Sequence, residues 1–341
     1  MIRYEIRAAT TEDEDDLLDL ARYLNSVNLP HDRDTIRRIL THSEQSFRGE
    51  IEDVTRREYI FVLRDRVTQR AVGTSLIVSQ LGRRDAPYIY FEVRNEERYS
   101  ATLDRLFSHD VLAIGYSYDG PTEIGGLVIH PDARLSADKL GMLISYVRFA
   151  FLAMHREVFQ TRVLAELLPP LEADGTSRLW EAVGRKFTGL DYEDADRLSK
   201  LNKEFIRGLF PAGDIYVSLL PQDAQAVIGK VGPNTRGVEK LLRRIGFRYW
   251  SRVDPFDGGP HFVAPVDEIS LVQRTSRSTA LVGRPKSTSK SLVCVESPTR
   301  PFFRAIAVPV EPTPDGAIID EQAAECLCIG TGHPVSVLPL D

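Results

Sequence analysis

The chain has 341 residues, 43% of them hydrophobic, a formal net charge of −6 and three cysteines. That length allows one large or two modest domains with a sizeable core. The acidic balance gives no basic footprint for nucleic acid, and three cysteines are too few and too late in the chain for a disulfide framework.

Residues 2–8 alternate Ile2, Tyr4 and Ile6 against Arg3, Glu5 and Arg7, which predicts a strand. Thr11 followed by Glu14 reads as a capping box ahead of an amphipathic helix carrying Leu17, Leu18, Leu20, Ala21 and Leu24. A second helix is predicted over 32–47, with Ile36, Ile39 and Leu40 on its apolar side. Residues 59–63 and 71–80 read as neighbouring strands joined by the polar stretch 64–70, and 88–93 and 111–116 as further strands. Residues 123–129 form a predicted central strand, ended by His130-Pro131-Asp132.

Residues 141–155 are apolar nearly all round, so this helix is expected to be buried against the sheet. Its apolar run, Gly141 to Met154, contains Ser145 and Arg148 and is too short to span a bilayer. With no apolar leader after Met1, a soluble cytoplasmic protein without membrane partners is the expectation. A short buried strand is predicted at 163–166, and 167–245 reads as mostly helical, broken at Pro169-Pro170, Pro211, Pro221 and Pro233.

Residues 246–254 look like a strand, and Pro255-Phe-Asp-Gly-Gly-Pro260 turns sharply after it. Proline fixes φ, and paired glycines let a ligand or another backbone come close. Asp257 is thereby a carboxylate on a constrained turn at a strand end. Residues 276–290 are basic and Ser-rich, the composition of a linker or mobile loop. Strands at 292–295 and 302–310 then predict a small β module over 291–341. Cys326 and Cys328, on a strand, would face one side and pack as small hydrophobes, and no metal site is expected there. The fold class is α+β. No Gly-x-Ser-x-Gly, Walker loop, Rossmann fingerprint or His-Glu-x-x-His motif occurs.

Several stretches share one resemblance: Leu29-Pro30, Ser-Arg-Leu-Trp-Glu-Ala-Val-Gly-Arg-Lys-Phe at 177–187, Ala195-Asp196, Phe205-Ile206, Ile215-Tyr216, the run 224–231, Gly246-Phe247-Arg-Tyr249 and Phe256-Asp-Gly-Gly-Pro260. In this order and spacing they resemble the arginine N-succinyltransferase family over most of residues 1–275. The resemblance implies transfer of a succinyl group from the co-substrate succinyl-CoA to the α-amine of arginine, with no metal. It implies a GNAT-like fold: a mixed, mostly antiparallel sheet flanked by helices, here with a helical insertion around 167–245. The expected organisation is an acyltransferase domain over 1–275, a linker at 276–290 and the β module. The partners implied are small molecules, an acyl-CoA and arginine or a related amine. Analogy with GNAT proteins adds a homo-oligomer or a paired subunit.

An acyl-CoA brings a pyrophosphate, which a loop opening a helix holds through free backbone N–H groups and the positive helix end. The loop from Ile129 through His130 to Gly141 is the candidate, with Arg134 and Lys139 adding charge; the family carries two glycines here and this chain keeps Gly141. Leu127 occupies the position where the family contacts succinyl-CoA, and Gly125-Gly126 before it would permit a bulge that turns backbone N–H groups toward a thioester oxyanion. The acceptor amine must lose a proton to attack. Glu166 matches a family glutamate and, like Asp257, could face the acceptor or serve as a structural partner. The family's acid/base histidine corresponds to Gly232, which has no proton to give. Three alternatives follow: another group such as His261, or a water, does the proton work; the acceptor is a different amine, such as ornithine; or the chain is a non-catalytic CoA-binding relative.

Overall fold

The computed structural model describes residues 2–24, 29–84 and 86–340, with backbone alone at 200 and 201. Met1 and Asp341, which the expected terminal segments include, lie outside the described residues. Along the chain come β1 (Tyr4–Ala8), α1 (Glu14–Ala21), α2 (Arg33–Phe47), β2 (Glu58–Asp65), β3 (Arg70–Val78), β4 (Tyr88–Ser100), β5 (Arg105–Ser117) and β6 (Thr122–Ile129). Next are α3 (Leu140–Met154) and β7 (Arg162–Glu166). The helical insertion holds α4 (Arg178–Ala182), α5 (Gly184–Thr188), α6 (Tyr192–Leu201), α7 (Glu204–Leu209), the two-residue β8 (Ile215–Tyr216), α8 (Gln222–Val227) and α9 (Arg236–Arg244). Then follow β9 (Arg248–Val253), β10 (Pro260–Pro265), α10 (Ser270–Arg274), β11 (Ser276–Val282), β12 (Lys290–Glu296), β13 (Phe303–Pro309), β14 (Glu311–Thr313), β15 (Gly316–Ile319), α11 (Glu321–Leu327) and β16 (Pro334–Pro339).

These elements divide into two compact units. The first comprises residues 1–79, 122–161 and 266–341, with strand order β14-β15-β11-β16-β12-β13-β1-β2-β3-β6. Pairing is antiparallel except between β11 and β15. Helix α3 is buried along almost its whole length, as an all-round apolar helix must be. Phe61, Phe151 and Phe303 pack edge to face, with centroids 5.3–5.5 Å apart. Phe303 therefore ties the C-terminal strands into the same core. Another cluster, with Val293, Val295, Ile306, Val308 and Ile319, packs around the α11 residues Ala323, Ala324 and Leu327.

The second unit comprises residues 80–121 and 162–265, with strand order β7-β10-β9-β4-β5-β8. Its core joins Phe91 and Leu112 of the sheet to Leu179, Trp180, Ile206 and Phe210 of the insertion and to Phe256 of the turn.

Four expectations are corrected. Thr10 and Asp13 form the capping box in place of Thr11 and Glu14: the Thr10 amide donates to Asp13 Oδ2 at 2.8 Å, and Asp13 is the carboxylate that Arg7 grips through both oxygens in the interior. Residues 276–282 of the expected linker form β11, paired with β16 and β15. The C-terminal β residues do not stand as a separate module, because β13 pairs with β1 through Ile6 and Arg7. Cys326 lies in α11 and Cys328 follows it in a left-handed cap, so the two thiols share no strand face; Cys326 is buried and Cys328 exposed.

Candidate active site

In the first unit, Thr74 faces Val128 and Leu76 faces Gly125, so Ser75 alone opposes both Gly126 and Leu127. This is a β-bulge, with Gly126 at φ +57°, a left-handed value that favours glycine. A Cβ there would also meet Leu76 Cδ2 at 2.8 Å. The bulge takes the half-buried Leu127 out of the regular ladder alternation.

After β6 the chain runs through a short turn into α3. Arg134 is exposed, and its Nε donates to the Ile129 carbonyl at 3.1 Å. Ile129 itself is buried and pairs with Gly73. Lys139 caps α3 in the left-handed conformation, at φ 51° and ψ 47°. Gly141 is exposed, and a Cβ on it would meet only Ile129 Cγ1, at 3.8 Å. The start of a fifteen-residue helix thus carries an exposed Gly141 and basic groups on its approach.

Two turns into α3, Arg148 is 2% exposed. Its Nε donates to the Ser145 carbonyl at 3.2 Å, Nη2 to Ser145 Oγ at 2.8 Å, and Nη1 to the carbonyl of Gly125, on the bulged strand, at 3.4 Å. Burial alone pushes this guanidinium down to about 9.

In the second unit, β7 and β10 run antiparallel with His261 opposite Glu166. His261 is fully buried, and its Nε2 lies 3.5 Å from Glu166 Oε1 without making a hydrogen bond. Its Nδ1 is 2.6 Å from the Tyr88 hydroxyl. Burial first, then Arg252 and Lys203, pushes the imidazole down to about 3, so it is neutral at physiological pH. Burial likewise pushes the Tyr88 phenol far up, which keeps it protonated. In the tautomer in which Tyr88 donates to Nδ1, the Nε2 proton faces the Glu166 carboxylate. Glu166, Asp254 and His261 each bring one ligand atom within 4.8 Å of the others.

The turn after β9 is closed by its own backbone: Asp254 N donates to Gly259 O, and Gly258 N to Asp254 O, both at 2.9 Å. Asp254 Oδ1 accepts from the amides of Phe256 and Asp257, and Asp257 Oδ1 from that of Gly259 at 2.7 Å. A Cβ on Gly259 would lie 2.4 Å from the Leu167 carbonyl, so the close backbone approach requires glycine. Asp257 is buried, and burial followed by the neighbouring Asp254 holds its carboxyl well above the usual range. Burial also raises Asp254. Phe256 stacks on Trp180 with centroids 5.0 Å apart and ring planes 7° from parallel, and Ser177 Oγ donates to the Phe256 carbonyl at 2.7 Å. The Trp-centred helix thus fixes the turn.

Gly232 donates its amide to the Leu168 carbonyl at 2.8 Å. A Cβ there would sit 2.5 Å from the carbonyl oxygen of Pro169. The position corresponding to the family histidine is therefore filled by backbone on its open side. Leu167 N donates to Pro260 O at 3.2 Å, which sets His261 on the strand next to this segment.

A family model described as arginine N-succinyltransferase beta subunit matches residues 4–271. The chain belongs to the arginine N-succinyltransferase family. Arginine N-succinyltransferase subunit beta of Pseudomonas aeruginosa is 30% identical over 338 residues, 98% of each chain. Arginine N-succinyltransferase of Yersinia pestis is 30% identical over 345 residues, 98% of this chain and 97% of the other. The solved structure of arginine/ornithine succinyltransferase subunit AI from Pseudomonas aeruginosa matches with a TM-score of 0.85 at 28% identity, covering all of both chains. Like its relatives, this member of the family is an acyl-CoA-dependent N-acyltransferase, here on an α+β fold with mostly antiparallel sheet. No helix among its described residues is long and apolar enough to cross a membrane.

The expected residues fall into two groups. Leu127, Ile129, Arg134, Lys139 and Gly141 cluster around the bulge and the start of α3 in the first unit. Glu166 and His261 meet across β7–β10 in the second. Asp257 is spent on its own turn, and Asp254, three residues earlier, is the carboxylate that joins Glu166 and His261. Sequence reasoning missed Asp254, Tyr88 and Arg148. An arginine inside an otherwise apolar helix was the one available signal for Arg148.

Proposed function

We propose that this chain moves the succinyl group of succinyl-CoA to the α-amine of arginine by direct attack of the free amine on the thioester carbonyl. The observation that carries the donor half is the Gly126 bulge beside the open start of α3. On this reading the α3 N-terminus, with Arg134 and Lys139, takes the pyrophosphate, and the backbone at Leu127 stabilises the oxyanion.

In the second unit, taken by itself, Glu166 and Asp254 are the carboxylates suited to an α-ammonium. Glu166 is the base for one of its protons, with the neutral His261 3.5 Å away and itself held by Tyr88. The lone pair then attacks the carbonyl carbon, the C–S bond breaks, and the second proton lost by nitrogen ends on the departing thiolate. No covalent intermediate on the enzyme is required. This assignment gives the proton work to the His261 pair in place of a side chain at position 232, and leaves Asp257 to hold the turn. The names of the Pseudomonas relatives contain the word subunit, which supports assembly in a complex; light scattering of purified protein measures that state.

The test is thiol release from succinyl-CoA with a panel of amino acids, the product identified by mass spectrometry. Release with arginine and formation of the α-N-succinyl product support the reading. Preferred release with ornithine changes the acceptor, and CoA binding without release favours a non-catalytic relative. Glu166→Gln should lower kcat by roughly 10²–10⁴-fold with little change in CoA affinity. The spacing of Glu166, Asp254 and His261 also suits a divalent cation. Activity that survives a chelator supports the proton role, and activity lost to the chelator and restored by metal assigns the three groups to an ion.

A further inference from the structure

Arg148 is the feature of the first unit that the fold alone does not explain. A guanidinium buried in an apolar helix is costly unless a counter-charge and hydrogen-bond acceptors meet it. Its acceptors are two carbonyls and one hydroxyl, which take three of its five N–H groups. Among the described residues no carboxylate forms an ion pair with it, and burial is the one influence acting on its proton affinity. The cation is thus retained beside the bulged strand with no neutralising carboxylate among the described residues.

The side chain is also aimed. It reaches across from α3 to the carbonyl of Gly125, immediately before the bulge residues Gly126 and Leu127. Ser145 holds it from within the helix, through both its carbonyl and its hydroxyl. On the reading of the donor site given above, the thioester carbonyl lies at Leu127, and the far carboxylate of a succinyl group is only two methylenes away.

We propose that Arg148 selects the acyl donor, its guanidinium pairing with the distal carboxylate of a dicarboxylic acyl-CoA. This rests on the donor reading above and deepens it by naming the residue that tells succinyl from an uncharged chain of the same length. A butyryl group carries no charge and leaves the buried cation uncompensated, so the site rejects it as well as preferring succinyl. Ser145 is a positioning residue that acts through Arg148.

The experiment compares kcat/KM for succinyl-CoA and butyryl-CoA in the full-length protein and in Arg148→Met, whose unbranched apolar side chain suits the buried site. The wild type should favour succinyl-CoA by about 100-fold or more, and the variant should bring the ratio to within about tenfold of unity, chiefly by losing succinyl-CoA turnover. Affinity for CoA itself, measured by calorimetry, should be unchanged and reports that the variant is folded. A ratio that survives Arg148→Met overturns the proposal. Should that variant not fold, Ser145→Ala decides: a several-fold rise in KM for succinyl-CoA alone supports the role, and equal effects on both donors overturn it. A wild-type protein that releases thiol from no acyl-CoA refutes the transfer reaction itself, whereas an active enzyme with an unmoved ratio refutes only the role of Arg148.

Discussion

At the scale of single residues, burial decides what each ionisable group can do. His261 and Glu166 lie 95 positions apart in the chain and 3.5 Å apart in the fold. The imidazole is held neutral by its surroundings and faces Glu166, which keeps a partly exposed side chain. Gly232→His, which restores the family's residue type, is expected to destabilise the protein by about 1–3 kcal/mol and to give no gain in rate. The reason is the Pro169 carbonyl 2.5 Å from the added Cβ; urea unfolding and the thiol-release assay check both halves. Asp257 gives a prediction with a definite sign. Its folded-state carboxyl is raised above 3.8, so the stability it contributes is present below that value and lost as pH rises through the folded pKa. Asp257→Asn keeps an oxygen for the Gly259 amide and should stabilise the protein at pH 7–8, with the advantage shrinking toward pH 4. Denaturant midpoints across that range measure it, and an advantage that grows on acidification would contradict the assignment.

At the scale of elements, the turn and the helix that carried the family resemblance are one mechanical unit. Trp180 stacks on Phe256, its indole N–H donates to the Leu190 carbonyl at 2.9 Å, and Ser177 both caps the helix and holds the Phe256 carbonyl. This explains why two stretches far apart in sequence are distinctive together: each is shaped to the other. Trp180→Ala should cost about 3–5 kcal/mol of stability. Because Asp254 opens the same turn, KM for arginine should rise more than KM for succinyl-CoA; equal changes would argue that the turn plays no part in acceptor binding. In the first unit, two adjacent glycines made the bulge on β6 legible in advance, and the register fixed which residue it displaced.

At the scale of the whole molecule, the C-terminal strands belong to the sheet that begins with β1. Ile6 pairs with Ala305, and Phe303 packs on Phe61 and Phe151. Truncation after residue 275 would strip β1 of a neighbour and open the aromatic core, so the shortened chain should fail to fold. Circular dichroism and solubility test this, and a cooperative, CoA-binding fragment of 275 residues would show that the C-terminal strands are dispensable.

The amino-acid sequence by itself determined the elements whose apolar periodicity is strong: β1, the β2–β3 hairpin, β6, the all-apolar α3 and the strand β7 after it. It also made the family legible, through the turn and the Trp-centred helix, which pack closely on each other. It could not reveal β11, since strand pairing is made by backbone groups and a Ser-rich segment can join a sheet without an apolar signature. Cys326 was misread for a similar reason, a short apolar run being compatible with helix or strand until its neighbours are known. Only the tertiary structure decided that Glu166 meets His261 and Asp254, and that Arg148 is sealed beside the bulge with no carboxylate among the described residues paired to it. Those are properties of strand register and of burial, and neither is local in the chain.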